Sequence, residues 1–181
     1  MVTLGGFPMP LYTIGHSNHN PERLFVLLAP FGITHLIDVR RVPFSGRFPF
    51  YNRDNLRELC RQHGIVYEWW GDSLGGNKWA DQTAHAVTHS SAFRAAIERL
   101  ARDYADDAEN KAACLICAEW DPRKCHRSML IGPALRALPD GGLDLQHILP
   151  DGTLLAQSEL EEGGEVPRSD RAGTLPLFND P

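Results

Sequence analysis

The segment CAEWDPRKCHRSM, residues 117–129, contains two thiols, two carboxylates, one histidine and three basic side chains within thirteen positions. Side chains of these types can coordinate a metal ion, activate a cysteine nucleophile or hold a phosphate group. The segment directly follows the apolar run AACLI, which is typical of a buried strand. The sequence therefore offers three alternatives for this segment: a metal site, a reactive thiol and a structural network.

A zinc site is the first alternative. Cys117, Cys125 and His126 could supply three ligands, and His16 could supply a fourth if folding brings it near. The spacing C-x7-C-H, however, lacks the short C-x2-C pairing that makes structural zinc sites recognisable. We therefore predict no metal and no other cofactor, and a zinc-stabilised domain stays open as an alternative.

A reactive thiol beside a bound anion is the second alternative. A helix beginning near Cys125 would place this thiol at the positive end of the helix dipole, among basic side chains that lower a thiol pKa. Free N–H groups in the first helical turn would bind phosphate or sulfate, and Arg127 and Ser128 would add side-chain donors. Cys125 is accordingly the predicted nucleophile, and Cys117, at the end of a buried strand, is the second candidate.

A structural network is the third alternative. In that case Cys125 is a half-buried small residue, His126 caps a helix, and Arg127 pairs with Asp38 or Glu119. Buried pairs of arginine and carboxylate groups occur in structural roles. This alternative assigns no chemistry to the segment.

The elements that must position these residues follow an alternating pattern of apolar runs and helical segments. The strand-like runs are LYTI (11–14), ITHLIDV (33–39), IVYEW (65–69), AACLICA (112–118) and LQHIL (145–149), with TLLA (153–156) as a short sixth element. Helices are predicted to begin at Asn20, at Asn52 or Asp54, at Ser90 or Ser91, and near Cys125. The pattern predicts an α/β fold, a single Rossmann-like three-layer domain with a mostly parallel sheet of about five strands.

Polar residues follow several of these strands, where an α/β sheet binds its ligands. We therefore predict that the segments after the first four strands converge into one pocket. Within it, two arginines would hold an anion, a histidine would move protons, and a carboxylate would orient them or act as base. The predicted catalytic residues are Cys125, His126, Glu119 and His16. The predicted substrate-binding residues are Ser17, Asp38, Arg40, Arg127, Ser128 and Cys117.

The charge is unevenly distributed along the chain. Residues 1–150 carry 16 acidic residues and 16 lysines and arginines, whereas residues 151–181 carry seven acidic residues and two arginines. Residues 1–156 are predicted to form the α/β domain, and residues 157–181 an acidic flexible tail. Four cysteines without a secretory signal indicate reduced thiols, and no run is long enough to span a bilayer, so we expect a cytoplasmic protein that does not contact membranes.

A basic and aromatic segment lies next to the predicted pocket. Residues 38–63 contain six arginines against three acidic residues, interleaved with three phenylalanines and a tyrosine. Such a surface can meet phosphate groups or stack on nucleic-acid bases. A solvated loop and helix face is the alternative interpretation.

Four short motifs, taken together, resemble those of a known family. YTIGHS (12–17), DVRRVPFS (38–45), CAEWDPRKCHRS (117–128) and HILPDG (147–152) resemble the domain of unknown function 488 family over about residues 11–155. The resemblance implies motif positions at His16, Ser17, Asp38, Arg40, Pro43, Cys117, Glu119, Cys125, His126 and Arg127. It implies no particular reaction, because the family is defined by sequence.

Two functional classes follow from these observations. The first is an enzyme acting on a nucleotide, nucleic acid or other phosphorylated substrate, and the second is a module that binds such a ligand without turnover. The terminal segment TLPLFNDP resembles a bacterial sliding-clamp-binding peptide, with Leu175, Leu177 and Phe178 as anchors and Thr174 where that peptide has glutamine. Docking of this segment on its own domain is the alternative, and clamp binding would indicate a role in DNA repair.

Overall fold

A six-stranded sheet forms the centre of the computed structural model, which describes residues 10–76, 88–104, 111–139 and 142–164. The strands are β1 (Leu11–Gly15), β2 (His35–Asp38), β3 (Val66–Trp69), β4 (Ala113–Cys117), β5 (Leu145–Ile148) and β6 (Leu154–Ala156). Their order is β3-β2-β4-β1-β5-β6, and only β6, beside β5, is antiparallel to its neighbour within the described residues. The predicted α/β fold with a mostly parallel sheet is confirmed.

Helices connect the strands and begin close to the predicted residues. They are α1 (Pro21–Leu28), α2 (Arg53–Gln62), α3 (Gly71–Leu74), α4 (Ser91–Tyr104), α5 (Gly132–Arg136) and α6 (Gln157–Glu161). The Asn20 side chain accepts a hydrogen bond from the Arg23 N–H, and proline at the first position favours the start of α1. A π-helical turn, Arg127–Ile131, leads directly into α5, and single 3-10 turns span Ala29–Phe31, Pro49–Tyr51 and Pro122–Lys124.

The hydrophobic core lies on both faces of the sheet. Successive strand residues point to opposite faces, so Leu115 packs with the cluster that contains Phe93 of α4, whereas Ile116 packs with the cluster that contains Leu24 of α1. The three layers are therefore helix, sheet and helix. No helix within the described residues is long and apolar enough to cross a bilayer.

The end of the folded region lies beyond the predicted tail boundary at residue 157. Residues 157–161 form α6, and the Gln157 side chain is buried against the domain. The polar, acidic composition concealed this helix, because its contacts with the domain are the hydrogen bonds of Gln157 and the packing of the partly buried Leu160. The predicted clamp-binding anchors Leu175, Leu177 and Phe178 lie outside the described residues, so that interaction stays a prediction.

Candidate active site

The carboxyl ends of three neighbouring strands bring the predicted site residues together. Because β1 and β2 flank β4, the residues after them share one edge of the sheet. The His16 N–H donates to the Cys117 carbonyl at 2.9 Å, and the Ser17 N–H donates to the Ala118 carbonyl at 2.9 Å. A side chain at Gly15 would lie 2.0 Å from the Glu119 carbonyl oxygen, so only glycine permits this close approach.

Asp38 and Arg40 form a closed ion pair at this edge. The Asp38 carboxylate is inaccessible to solvent, and the Arg40 side chain is 6% exposed. Arg40 donates from its backbone N–H and from Nε to Asp38 Oδ1, at 3.0 and 2.8 Å, and from NH2 to Oδ2. The Tyr67 hydroxyl also donates to Oδ2, at 2.7 Å. Burial of this pair is compensated because the carboxylate accepts bonds on both oxygens.

His16 is held neutral beside this pair. Its Nε2 lies 3.1 Å from Arg40 NH1, which can only donate, so Nε2 accepts and Nδ1 carries the proton toward the Ser17 carbonyl at 2.9 Å. Burial, and then the positive charge of Arg40, lower the His16 pKa to about 4. The ring stacks on Tyr51 with centroids 3.9 Å apart. His16 is therefore an acceptor rather than a cation at neutral pH.

Arg127 is the second buried arginine, and its surroundings differ. The residue is 1% exposed. It donates from Nε to Cys125 Sγ at 3.2 Å, from NH1 to Thr13 Oγ1 at 2.9 Å, and from NH2 to the Glu119 carbonyl at 2.6 Å. Within the described residues it forms no ion pair with a carboxylate. The group beside this guanidinium that can carry negative charge is the Cys125 sulfur.

The two thiols lie side by side and face the same imidazole nitrogen. Cys117 Sγ and Cys125 Sγ are each 3.7 Å from His126 Nδ1. His126 Nε2 lies 3.0 Å from the Val39 carbonyl, which can only accept, so Nε2 carries a proton and Nδ1 is the ring nitrogen that faces both sulfurs. His126 is thus placed to take a proton from either thiol.

The surroundings shift the pKa values of the two thiols in opposite directions. The hydrogen bond from Cys117 and the positive charge of Arg127 outweigh burial and hold the Cys125 pKa well below its ordinary value. The same hydrogen bond, together with burial, raises the Cys117 pKa well above its ordinary value. Burial also raises the pKa of Cys60 to about 12 and raises that of Cys114. Of the four thiols, Cys125 is therefore the one whose surroundings favour the thiolate form.

The same cluster has the donor atoms for a metal ion. Cys117 Sγ, Cys125 Sγ and a His126 ring nitrogen all lie within 4.8 Å of one another. The proton on His126 Nε2 and its carbonyl partner are the arrangement that metal-ligating histidines use. His16, the predicted fourth ligand, instead directs its acceptor nitrogen to Arg40. A zinc-stabilised domain would therefore have three protein ligands here.

The remaining predicted residues occupy different positions around the cluster. Ser128 is buried and donates to the Pro122 carbonyl, whereas Glu119 and Ser17 are partly exposed. Ser17 has a φ of 46°, the one positive value among the described non-glycine residues. Strained backbone of this kind occurs frequently at functional sites.

The helix expected at Cys125 begins two residues later, at Arg127. The N–H groups of Ser128 and Met129 both donate to the Cys125 carbonyl, at 3.2 and 3.0 Å. These groups are therefore not free to bind an anion, contrary to the expectation of an open first turn. The Cys125 thiolate is stabilised mainly by side chains.

A cavity of about 490 Å³ lies next to the cluster but does not contain it. Trp69, the last residue of β3, reaches the end of β2, because its Nε1–H donates to the Arg40 carbonyl at 2.9 Å. The predicted convergence of the strand ends is therefore observed, whereas the cavity lies between α3 and α4. Its lining consists of Glu68, Trp69, Trp70, Asp72, Ser73, Ala92, Ala95, Ala96 and Arg99.

A buried polar chain behind Arg127 was not predicted. Thr13 accepts from Arg127, so its hydroxyl proton points to His147 Nδ1 at 2.7 Å, and His147 Nε2 donates to Gln157 Oε1 at 2.9 Å. Burial, and then the charge of Arg127, lower the His147 pKa to about 4. The sequence did carry a signal, because Thr13 and His147 are polar residues inside strands predicted to be buried, and they are register partners.

A family model described as Domain of unknown function DUF488 matches residues 20–132, more than half of the chain. The chain belongs to the DUF488 family. The matched region includes Asp38, Arg40 and the whole segment 117–129, whereas Thr13, His16 and His147 lie outside it. Neither the curated proteins nor the solved structures contain a significant match. For this DUF488 protein, the function must therefore be inferred from the site itself.

Proposed function

We propose that this DUF488 protein is an enzyme in which the Cys125 thiolate attacks a phosphorylated substrate, such as a nucleotide or a nucleic-acid end. The observation that carries the proposal is the contact between Arg127 Nε and Cys125 Sγ, at 3.2 Å. The reaction class is that of a cysteine-dependent hydrolase or transferase.

The charge of Arg127 supports an anionic sulfur. An uncompensated buried charge costs several kcal/mol, about 3 to 5 when one partner of a buried pair is removed. The other acceptors of Arg127 are a hydroxyl and a carbonyl oxygen, and neither carries a formal charge. Loss of the Cys125 proton therefore stabilises the guanidinium, and the guanidinium in turn maintains the thiolate.

The neighbouring side chains have complementary roles in this proposal. His126 Nδ1 receives or returns a proton at the sulfur pair, because it lies 3.7 Å from each. Glu119 and Ser17, which are partly exposed at the same edge, would contact the substrate. His16 and the ion pair of Arg40 with Asp38 position the strand ends.

In the reaction, the thiolate forms a bond to phosphorus while the bond from phosphorus to the leaving oxygen breaks. Water or an acceptor alcohol then displaces the sulfur and restores the thiolate. Cys125 is 2% exposed, so the substrate must displace groups that cover the sulfur before the first step. The proposal therefore requires the site to open during turnover.

The exposed surface next to the site supports an anionic ligand. Arg41, Arg47 and Arg53 are exposed, and Arg53 lies over the Trp69 ring, 4.4 Å from its centroid. Phe44 is 70% exposed in the same loop region. A module that binds nucleic acid without turnover uses the same features, and it is the second candidate.

The test compares the reactivity and activity of Cys125 with those of matched controls. Iodoacetamide should alkylate Cys125 at least about tenfold faster than Cys60 near pH 7. Phosphorylated compounds that bind should protect Cys125, and Cys125→Ser should lose turnover while Cys60→Ser retains it. Equal alkylation rates, or turnover unchanged in Cys125→Ser, would remove the enzyme proposal.

Metal analysis of the purified protein distinguishes the zinc-stabilised domain from the thiolate enzyme. Stoichiometric zinc in the purified protein, with unfolding after chelation, would assign Cys117, Cys125 and His126 a structural role. Zinc-free protein that retains its fold would exclude that role.

The proposed link to DNA repair is tested with a peptide that spans residues 171–181. Binding to the bacterial sliding clamp, lost on substitution of Leu177 and Phe178 by alanine, is the expected result. Absence of binding at roughly 100 μM, the weak end for a short motif, would remove the main support for that link.

A further inference from the structure

Two thiols face the same imidazole nitrogen, and this pairing makes a second reaction possible at the site. Cys117 ends β4, and the 3-10 turn Pro122–Lys124 returns the chain so that Cys125 faces it. Both sulfurs are 3.7 Å from His126 Nδ1 and within 4.8 Å of each other. Two sulfurs at this separation can reach each other after a small side-chain movement.

The pair is chemically asymmetric. Of the two sulfurs, Cys125 is the one that accepts a hydrogen bond from Arg127, so the guanidinium stabilises an anion there more than at Cys117. The Cys117 sulfur lies 3.7 Å from His126 Nδ1, a ring nitrogen that can accept a proton. Attack by one thiolate and resolution by an adjacent thiol require this division of roles.

Burial of the two sulfurs limits the size of the molecule that can react with them. Cys117 is 8% exposed and Cys125 is 2% exposed. A molecule close in size to water reaches such sulfurs with less displacement of the surroundings than a bulky disulfide does.

We propose that the cluster reduces small peroxides, with Cys125 as the attacking thiolate and Cys117 as the resolving thiol. The proposal rests on the thiolate of the proposed function, but it requires neither a phosphorylated substrate nor an open pocket. It assigns Cys117 a catalytic role that phosphoryl transfer does not need.

The chemistry proceeds in two balanced steps. In the first, the Cys125 thiolate bonds to one peroxide oxygen, the O–O bond breaks, and hydroxide leaves, which gives a sulfenic acid. In the second, Cys117 transfers its proton to His126 Nδ1 and its sulfur attacks the Cys125 sulfur. The S–O bond then breaks, hydroxide leaves, and the imidazole proton and a proton from solvent convert the hydroxides to water. The product is a disulfide between Cys117 and Cys125, which a small dithiol reduces again.

The test treats the reduced full-length protein with equimolar hydrogen peroxide and blocks the remaining thiols with N-ethylmaleimide. The expected product has lost two hydrogen atoms and yields a peptide that joins Cys117 to Cys125. Cys117→Ser should stop at the sulfenic acid, which dimedone traps on Cys125. Cys125→Ser should form neither product, whereas Cys60→Ser and Cys114→Ser should behave as the wild type does.

Several outcomes would overturn the proposal. A disulfide that involves Cys60 or Cys114, undiminished disulfide yield in Cys117→Ser, or bound metal that prevents oxidation of both sulfurs would each do so. Iodoacetamide distinguishes this failure from that of the proposed function. Rapid alkylation of Cys125 without disulfide formation would overturn only the peroxide reaction, whereas slow alkylation would overturn both proposals.

Discussion

Two arginines are buried at the same edge of the sheet, and different anions neutralise them. Arg40 faces the Asp38 carboxylate, whereas Arg127 faces the Cys125 sulfur. A carboxylate is ionised at neutral pH without assistance, but an ordinary thiol is not. The first pair is therefore ionised without help from its surroundings, while the second is a charged pair only if Cys125 loses its proton, as we propose.

A neutral histidine accompanies each arginine. His16 accepts directly from Arg40, and His147 accepts from Thr13, which accepts from Arg127. Each arginine therefore contributes to keeping one imidazole unprotonated. The two regions differ in their anion but share this sensitivity to acid.

Acid is expected to have the largest effect, because it acts on both regions. The folded pKa of His16 and of His147 is lowered from 6.5 to about 4, so the unfolded chain binds protons that the folded chain does not. The stability of the folded state with both imidazoles neutral is fully present above about pH 6.5 and is lost as the pH falls toward 4. At about 1.4 kcal/mol per unit, the unfolding free energy should fall by up to roughly 6 kcal/mol.

Urea unfolding at several pH values measures this dependence. His16→Gln and His147→Gln should each remove about half of the slope of unfolding free energy against pH. Each substitution removes one imidazole that the unfolded chain would protonate. An unchanged slope in both variants would contradict the assigned imidazole states.

Replacing the two buried arginines one at a time should destabilise the protein by different amounts. Arg40→Met leaves the buried Asp38 carboxylate unpaired and should cost about 3 to 5 kcal/mol of unfolding free energy. Arg127→Met should cost less, about 1 to 3 kcal/mol, because Cys125 can take up a proton and only neutral acceptors lose a donor. Chemical unfolding near pH 7 measures both, and a larger cost for Arg127→Met would reverse the comparison.

The reactivity of Cys125 should depend on Arg127. Arg127→Met should slow alkylation of Cys125 at least about tenfold near pH 7, because the thiolate fraction falls with each unit that the pKa rises. Arg127→Lys should retain part of the rate, since it keeps the charge but loses the planar donor geometry. Peptide mass spectrometry after timed exposure to iodoacetamide gives the rates. An unaffected rate in Arg127→Met would show that the guanidinium does not maintain the thiolate.

Two tyrosines offer the smallest contrast. The Tyr51 hydroxyl is buried and has no hydrogen-bond partner among the described residues, so Tyr51→Phe should leave stability unchanged or raise it by up to about 1 kcal/mol. The Tyr67 hydroxyl donates to Asp38, and Tyr67→Phe should cost about 1.5 to 3 kcal/mol. Thermal unfolding of both variants measures the difference, and equal effects would argue against this distinction.

Residue patterning was enough to predict the fold class and the strand ends at which the candidate site lies. Apolar runs alternating with helical segments require a covered parallel sheet, because buried strands must hydrogen-bond to one another. Parallel strands end at the same edge, so His16, Asp38 and Cys117 were expected to meet before any distance was known. Element starts followed local signals, such as the cap at Asn20.

The partners of the charged groups, in contrast, could be identified only in the folded chain. The sequence offered Asp38 or Glu119 as the anion for Arg127, but Arg40 lies two residues from Asp38 and takes both carboxylate oxygens. Glu119 contributes its backbone carbonyl to Arg127, because of the direction in which the loop turns. Side-chain pairing depends on strand register and reach in three dimensions, which residue type and spacing do not specify. For the same reason, the contact between Arg127 Nε and Cys125 Sγ emerged only from the folded structure.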